Sequence, residues 1–183
     1  MLLPDAVERR SVRRGQLGCP VCQRTYGIVD GVAWLSQSPL PAPVASGVGD
    51  PGVDAGAVTA FLGLGGPGGY VALVGTAARF APGLQPRLEG VHLALVNPEP
   101  RHPDEPGASV LHAPLLPFRT RSLRGVVLGG SHAADPAWQA DAFRAVLPGL
   151  RVAGESAGPV IPGVELLGSG GGWWVGRAET NRR

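Results

Sequence analysis

The chain of 183 residues contains no lysine, and all 16 of its basic side chains are arginine. That one-sided choice is expected from the codon bias of a GC-rich bacterium, since basic residues elsewhere mix the two types. Cysteine is nearly absent, with 2 in all, which rules out a disulfide framework and suits a reducing compartment. No apolar stretch approaches the length of a membrane span. The opening MLLPDAVERRSVRR has too short an apolar part for a secretory signal, and acids arrive at once. The expected location is therefore the cytoplasm, with a peripheral position on the cytoplasmic face of the inner membrane as the alternative. A net charge of +2 carries no signature of a nucleic-acid binder.

Glycine and proline are abundant, at 29 and 19 residues, so helices should be few and short. Hydrophobic residues make up 44%, enough to bury the core of one modest domain with a small appendage. That core centres on GYVALVGTAARF, Gly69 to Phe80. Tyr70 to Val74 predicts a buried strand, followed by a turn at Gly75 and the start of a helix. An apolar run bounded by turns is what a parallel sheet covered on both faces requires. In nucleotide-binding α/β folds the turn after such a strand holds the ligand.

Four stretches follow in order: the strand with its Gly turn, VHLALVNPEP, LPFRTRSLRGVVLGG and FRAVLPGLRVAGE. From roughly Ala55 to Arg177 this order resembles the class I S-adenosylmethionine-dependent methyltransferases of the type-11 style. The resemblance implies a reduced Rossmann-like α/β sheet, mainly parallel, with a C-terminal antiparallel hairpin. It also implies a cofactor site, and here the chain departs from the pattern. Leu73 stands where an acid belongs. Gly75 is kept, but Ala77 and Arg79 replace the later glycines, and Leu95 replaces the ribose-binding acid. Further acid positions fall at His112 and Arg124. Each side chain added over the turn occupies space the cofactor needs. Each polar ligand group left unpaired costs about 1–3 kcal/mol, so several losses together weaken binding by orders of magnitude. No cofactor is expected.

Gly18 to Leu35, GCPVCQRTYGIVDGVAWL, resembles the C-terminal half of Trm112-like zinc-ribbon domains, with Gly27 in place of that pattern's proline. Asp30-Gly31 between two apolar runs predicts a hairpin turn on physical grounds alone. A structural zinc needs four ligands. Cys19 and Cys22 supply two, and His92, His102, His112 and His132 are not spaced as a pair, so no metal is expected. The predicted organisation is a β-hairpin remnant over 1–35, a Pro/Gly-rich linker over 36–52, and a truncated methyltransferase-like domain over 53–183.

Within that last region, Asp54 is read as the N-cap of a helix through Leu62. The following GLGGPGG precedes its strand, whereas phosphate-binding glycines follow one, so it is read as a helix stop. Pro82 and Pro86 limit the helix after Phe80. Further strands are expected at Ser109 to His112, Gly125 to Gly129 and Leu150 to Ala153. A helix over Ala137 to Leu147 is expected to be capped by Asp135 and to end at Pro148-Gly149. Ser131, His132 and Asp135 lie too near one another in sequence for a catalytic triad. Val164 to Leu167 and Trp173 to Gly176 predict a closing hairpin.

The shortage of helices predicts a bare sheet face, which another protein must cover. Adjacent Trp173 and Trp174 point to opposite faces of a strand, so if one faces the core the other is expected outward, either as a partner anchor or in simple edge packing. Arg9, Arg10, Arg13 and Arg14 offer a basic cluster for an acidic protein or lipid surface. The function expected is that of a non-catalytic structural or assembly subunit of a larger bacterial complex, with other protein subunits as partners. The alternatives are an active methyltransferase, a regulatory partner of one, or a peripheral subunit of a respiratory or photosynthetic membrane complex.

Overall fold

The computed structural model describes residues 1–8, 11–20, 23–36, 52–99 and 107–178. Strand β5, Tyr70–Val74, lies in the middle of an eleven-stranded sheet and is buried from Val71 onward. Its parallel neighbours are β6, His92–Val96, and β8, Leu123–Leu128. Beyond β6 lies β7, Ala108–His112, and beyond β8 lies β9, Val146–Gly154, both again parallel. The chain thus moves outward in one direction from β5 through β6 to β7, then returns to β8 and moves the other way. The reversal between β5 and β8 is a topological switch point, and the crevice beyond their carboxyl ends is where α/β sheets bind ligands.

One face of the parallel strands is covered by α1, Ala55–Leu62, by the 3₁₀ turn Gly75–Phe80 and by α2, Ala81–Leu84. Val58, Leu62, Phe80 and Leu84 pack there against Leu73, Leu93, Leu95 and Val127. Asp54 caps α1 by accepting from the Ala57 N–H at 2.8 Å, and Gly63 ends it in the left-handed conformation. The other face is covered by α3, Ser131–Ala134, and α4, Pro136–Ala145. Leu116, Trp138 and Ala142 pack there against Ala72, Val74, Val126 and Leu128. Each fully buried leucine or valine contributes roughly 1.5–3 kcal/mol relative to exposure. The expectation of a bare central face is corrected by this packing: short helices suffice because the strands they cover are only five or six residues long.

The expected helix over Ala137 to Leu147 ends two residues early. Val146 is already extended and pairs with Leu123, so β9 begins where the helix stops. The closing hairpin is present as β10, Val164–Gly170, and β11, Trp173–Ala178. Strand β11 inserts antiparallel beside β9. Both tryptophans are buried, at 2% and 0% exposure, so the outward anchor expected of Trp173 or Trp174 is corrected. They do point to opposite faces, but each face is occupied. Phe61 and Phe80 meet Trp173, and Phe143 stacks on Trp174.

The N-terminal expectation of a two-stranded appendage is also corrected. Strands β1, Leu2–Glu8, β2, Ser11–Gly18, β3, Thr25–Val29, and β4, Val32–Trp34, form an antiparallel meander. Strand β4 pairs in parallel with β7. The expected hairpin is β3–β4, with Asp30 and Gly31 both at positive φ in its turn, as a two-residue turn of this kind requires. The meander therefore extends the main sheet. Antiparallel junctions equal the parallel ones in number, so "mainly parallel" describes the middle of the sheet and not the whole.

Candidate functional site

The switch point is built from two glycine turns. Gly75 follows β5 with φ 60, and a β-carbon there would lie 2.6 Å from His132 Nδ1 and 2.9 Å from the Gly129 carbonyl. Gly129 follows β8, and its N–H donates to the Val74 carbonyl at 3.0 Å. The two turns therefore pack backbone against backbone, which requires glycine on both sides.

The crevice above them holds an ion pair. Arg79 projects from the 3₁₀ turn, and its Nη2 donates to Glu155 Oε1 at 2.5 Å while Nη1 donates to Oε2 at 3.1 Å. Thr76 Oγ1 donates to Glu155 Oε2 at 2.8 Å, and the Gly130 N–H reaches the same oxygen at 3.3 Å. The Glu155 side chain is 5% exposed and that of Arg79 29%. Burial alone would raise the Glu155 pKa, but the hydrogen bonds from Arg79 and Thr76, the Arg79 charge and the Gly130 N–H outweigh it and hold the carboxyl below its usual value. The Arg79 guanidinium also lies 4.3 Å from the Phe80 ring centre, so the cation is held by a carboxylate and an aromatic face together.

Leu73 and Leu95 are fully buried beneath this level and directly paired in register. They present no polar atom. Ala77 is fully buried in the 3₁₀ turn. Gly75, Ala77 and Arg79 thus come together at the switch point, while Leu73 and Leu95 belong to the apolar cluster that includes Ala77 and Phe80. His112 stacks on Trp34 at the far side of β7. Arg124 lies at the opposite end of the sheet, donating to the carbonyls of Gly65, Gly66, Pro67 and Gly68. The GLGGPGG segment is thereby wrapped around a guanidinium through its oxygens.

Two acids at the switch point carried no role in the sequence reading. Glu155 follows β9, and its position directly after an apolar strand is the signal that could have marked it. Glu99 follows β6, and its N–H donates to the Gly75 carbonyl at 3.2 Å. Burial raises the pKa of the Glu99 carboxyl. His132 stands T-shaped on Trp138, with ring centres 4.7 Å apart. Its Nδ1 is buried without a hydrogen-bond partner among the described residues, although the Gly129 carbonyl lies beside it. Burial pulls its pKa down, against the opposing pull of Gly129 and Asp135. Asp135 caps α4 through the Ala137 and Trp138 N–H groups, so Ser131, His132 and Asp135 form no triad.

No family model matches the chain, and no curated protein matches it either. Two solved structures are similar over part of it. One is a protein assigned as a methyltransferase from an antibiotic biosynthesis pathway of Anabaena variabilis, at 13% identity and a TM-score of 0.43, covering 54% of this chain and 42% of that one. The other comes from the complex between the Haloferax volcanii Trm112 methyltransferase activator and the methyltransferase assigned to it, at 20% identity and a TM-score of 0.42, covering 52% and 49%. The chain spans less than half the length of either.

Away from the switch point, Cys19 is half-buried in the turn before β3, where its N–H donates to the Arg24 carbonyl at 2.9 Å. Cys22, Arg9 and Arg10 lie outside the described residues, as do His102 and most of the 36–52 linker. Among the described residues no group of three His, Cys, Asp or Glu side chains is placed to hold a metal ion. Arg13 and Arg14 lie on β2, where Arg13 approaches Glu8 at 3.9 Å. No helix among the described residues is long and apolar enough to cross a membrane.

Proposed function

We propose that the chain is a non-catalytic structural or assembly subunit of a larger bacterial complex, built on a methyltransferase-like fold that has lost its cofactor site. The reading divides the chain into a Trm112-like segment at 1–35, a linker at 36–52 and the methyltransferase-like part at 53–183. One observation carries it: the switch point holds the Arg79–Glu155 pair, and the fully buried Leu73 and Leu95 offer nothing polar to a nucleoside. A ligand there must displace the partly exposed Arg79 guanidinium and leave the buried Glu155 carboxylate without its cation.

Its partners are other protein subunits. Exposed apolar residues on the outer strands support this, including Leu2, Leu3, Val7 and Val29 on the meander and Leu166 and Leu167 on β10. Calorimetric titration with S-adenosylmethionine tests the lost site, and micromolar binding would overturn it. Affinity purification from the native organism tests the subunit role, and recovery of the chain alone as a monomer would overturn that.

Glu99 favours a second reading, in which a nucleoside is still bound and methyl transfer or stimulation of a partner enzyme remains. Its backbone N–H is tied to the Gly75 carbonyl, and a carboxylate on a residue anchored there is suited to accept from vicinal hydroxyls. Saturable adenosine binding that disappears in Glu99→Gln would support this reading over the first.

A further inference from the structure

The Glu155 carboxylate is prepared from two directions. Thr76 Oγ1 and the Gly130 N–H both donate to Oε2, and neither belongs to Arg79. They hold Oε2 in place, while Arg79 engages both oxygens, Oε1 through Nη2 and Oε2 through Nη1. On the Arg79 side, the planar guanidinium also meets the Phe80 ring, which in turn stands edge-on to Trp173 with centres 5.8 Å apart. A buried acid held by neutral donors, with an aromatic face alongside, is the chemistry that recognises a planar cation. The present occupant comes from the chain itself, and its 29% exposed side chain can leave toward solvent without unpacking the core.

We propose that Glu155, Thr76 and Phe80 form a receptor for a guanidinium group, which Arg79 occupies in the resting protein and which an external guanidinium compound enters by displacing it. The proposal concerns a different ligand class from the methyl donor and stands whether or not the chain is an assembly subunit. A tethered side chain competes at a high effective concentration. The apparent affinity of the unaltered protein for an external cation is therefore lowered by the fraction of time the receptor is empty.

Methylguanidinium is the probe, titrated against Arg79→Ala with sodium chloride at equal ionic strength as control. The expected results are saturable binding to Arg79→Ala, its loss in Arg79→Ala/Glu155→Gln, and binding to the unaltered protein weaker by about ten-fold or more. The proposal is overturned if Arg79→Ala fails to bind, if binding persists without the Glu155 carboxylate, or if the unaltered protein binds equally well. Should Arg79→Ala not fold unaided, methylguanidinium in the refolding buffer is expected to recover soluble protein where sodium chloride does not. Equal yields in the two buffers would then overturn the proposal. Arginine amide and a short arginine-containing peptide, run alongside, separate a free small molecule from a partner's side chain as the source of the group.

Discussion

Asn97 grips Ala113 through both halves of its amide: Nδ2 donates to the Ala113 carbonyl at 2.8 Å, and Oδ1 accepts the Ala113 N–H at 3.0 Å. The contact ties the carboxyl end of β6 to that of β7 beside the switch point. Asn97 does so at φ 50, a conformation that asparagine tolerates better than most residues. Asn97→Ala leaves two backbone groups of a buried residue unpaired and adds backbone strain. A loss of about 2–4 kcal/mol is expected in urea unfolding, and Asn97→Gly, which relieves only the strain, should lose less.

Glu155 should make stability depend on acid. Its folded pKa lies below the unfolded value, so its contribution is full above the usual carboxyl range and fades as pH falls through the folded value. Unfolding free energies between pH 6 and pH 3 (on the order of the range that brackets a carboxyl) should fall less steeply in Glu155→Gln than in the unaltered protein.

His132 should act in a higher window. Burial lowers its folded pKa below the ordinary 6.5, so the unfolded chain takes up a proton first, and stability declines as pH falls below that value. His92, also lowered by burial, contributes in the same sense. His132→Phe keeps the ring against Trp138 and should remove part of this decline, leaving the share due to His92. Titration of the histidine ring signals by NMR gives the direct check, and a His132 midpoint above 6.5 would refute the sign.

Gly154 lies directly under Trp174, whose ring occupies the place a β-carbon would need. The tryptophan is held there by Phe143 and by its Nε1 donating to Ser156 Oγ at 2.9 Å. Gly154→Ala should destabilise by about 1–3 kcal/mol through overpacking, and Gly154→Ala combined with Trp174→Phe should recover part of the loss.

Arg124 should control one loop. Replacing it with Met removes the donor that gathers the carbonyls of residues 65 to 68 while keeping an apolar stem. Limited proteolysis is expected to cut that loop faster in Arg124→Met than in the unaltered protein, with β5 and β8 unaffected.

The elements that came through from sequence were those with local chemistry. The apolar run at Tyr70–Val74, the Asp54 and Asp135 caps and the Asp30-Gly31 turn each carry their reason within a few residues. Long-range partners were not legible. Nothing in GVAWL indicates that β4 lies beside β7, because a strand edge pairs through backbone atoms common to every residue. Arg79 was recognised as an obstruction in the crevice, yet its partner Glu155 is 76 positions away and no spacing rule connects them. The tryptophan pair misled because alternation gives the two faces of a strand but not what covers each. Three phenylalanines, one each from α1, the 3₁₀ turn and α4, decide that.

Strand β11 contributes one tryptophan to each apolar cluster, though it is the last strand described and is slotted between β9 and β10. Synthesis runs from the other end, so a nascent polypeptide still lacking Trp173 and Trp174 has both halves of its interior unfilled on the ribosome. Closure of the two apolar clusters must then await the tryptophan pair, and a stop codon placed just before Trp173 should yield an insoluble product.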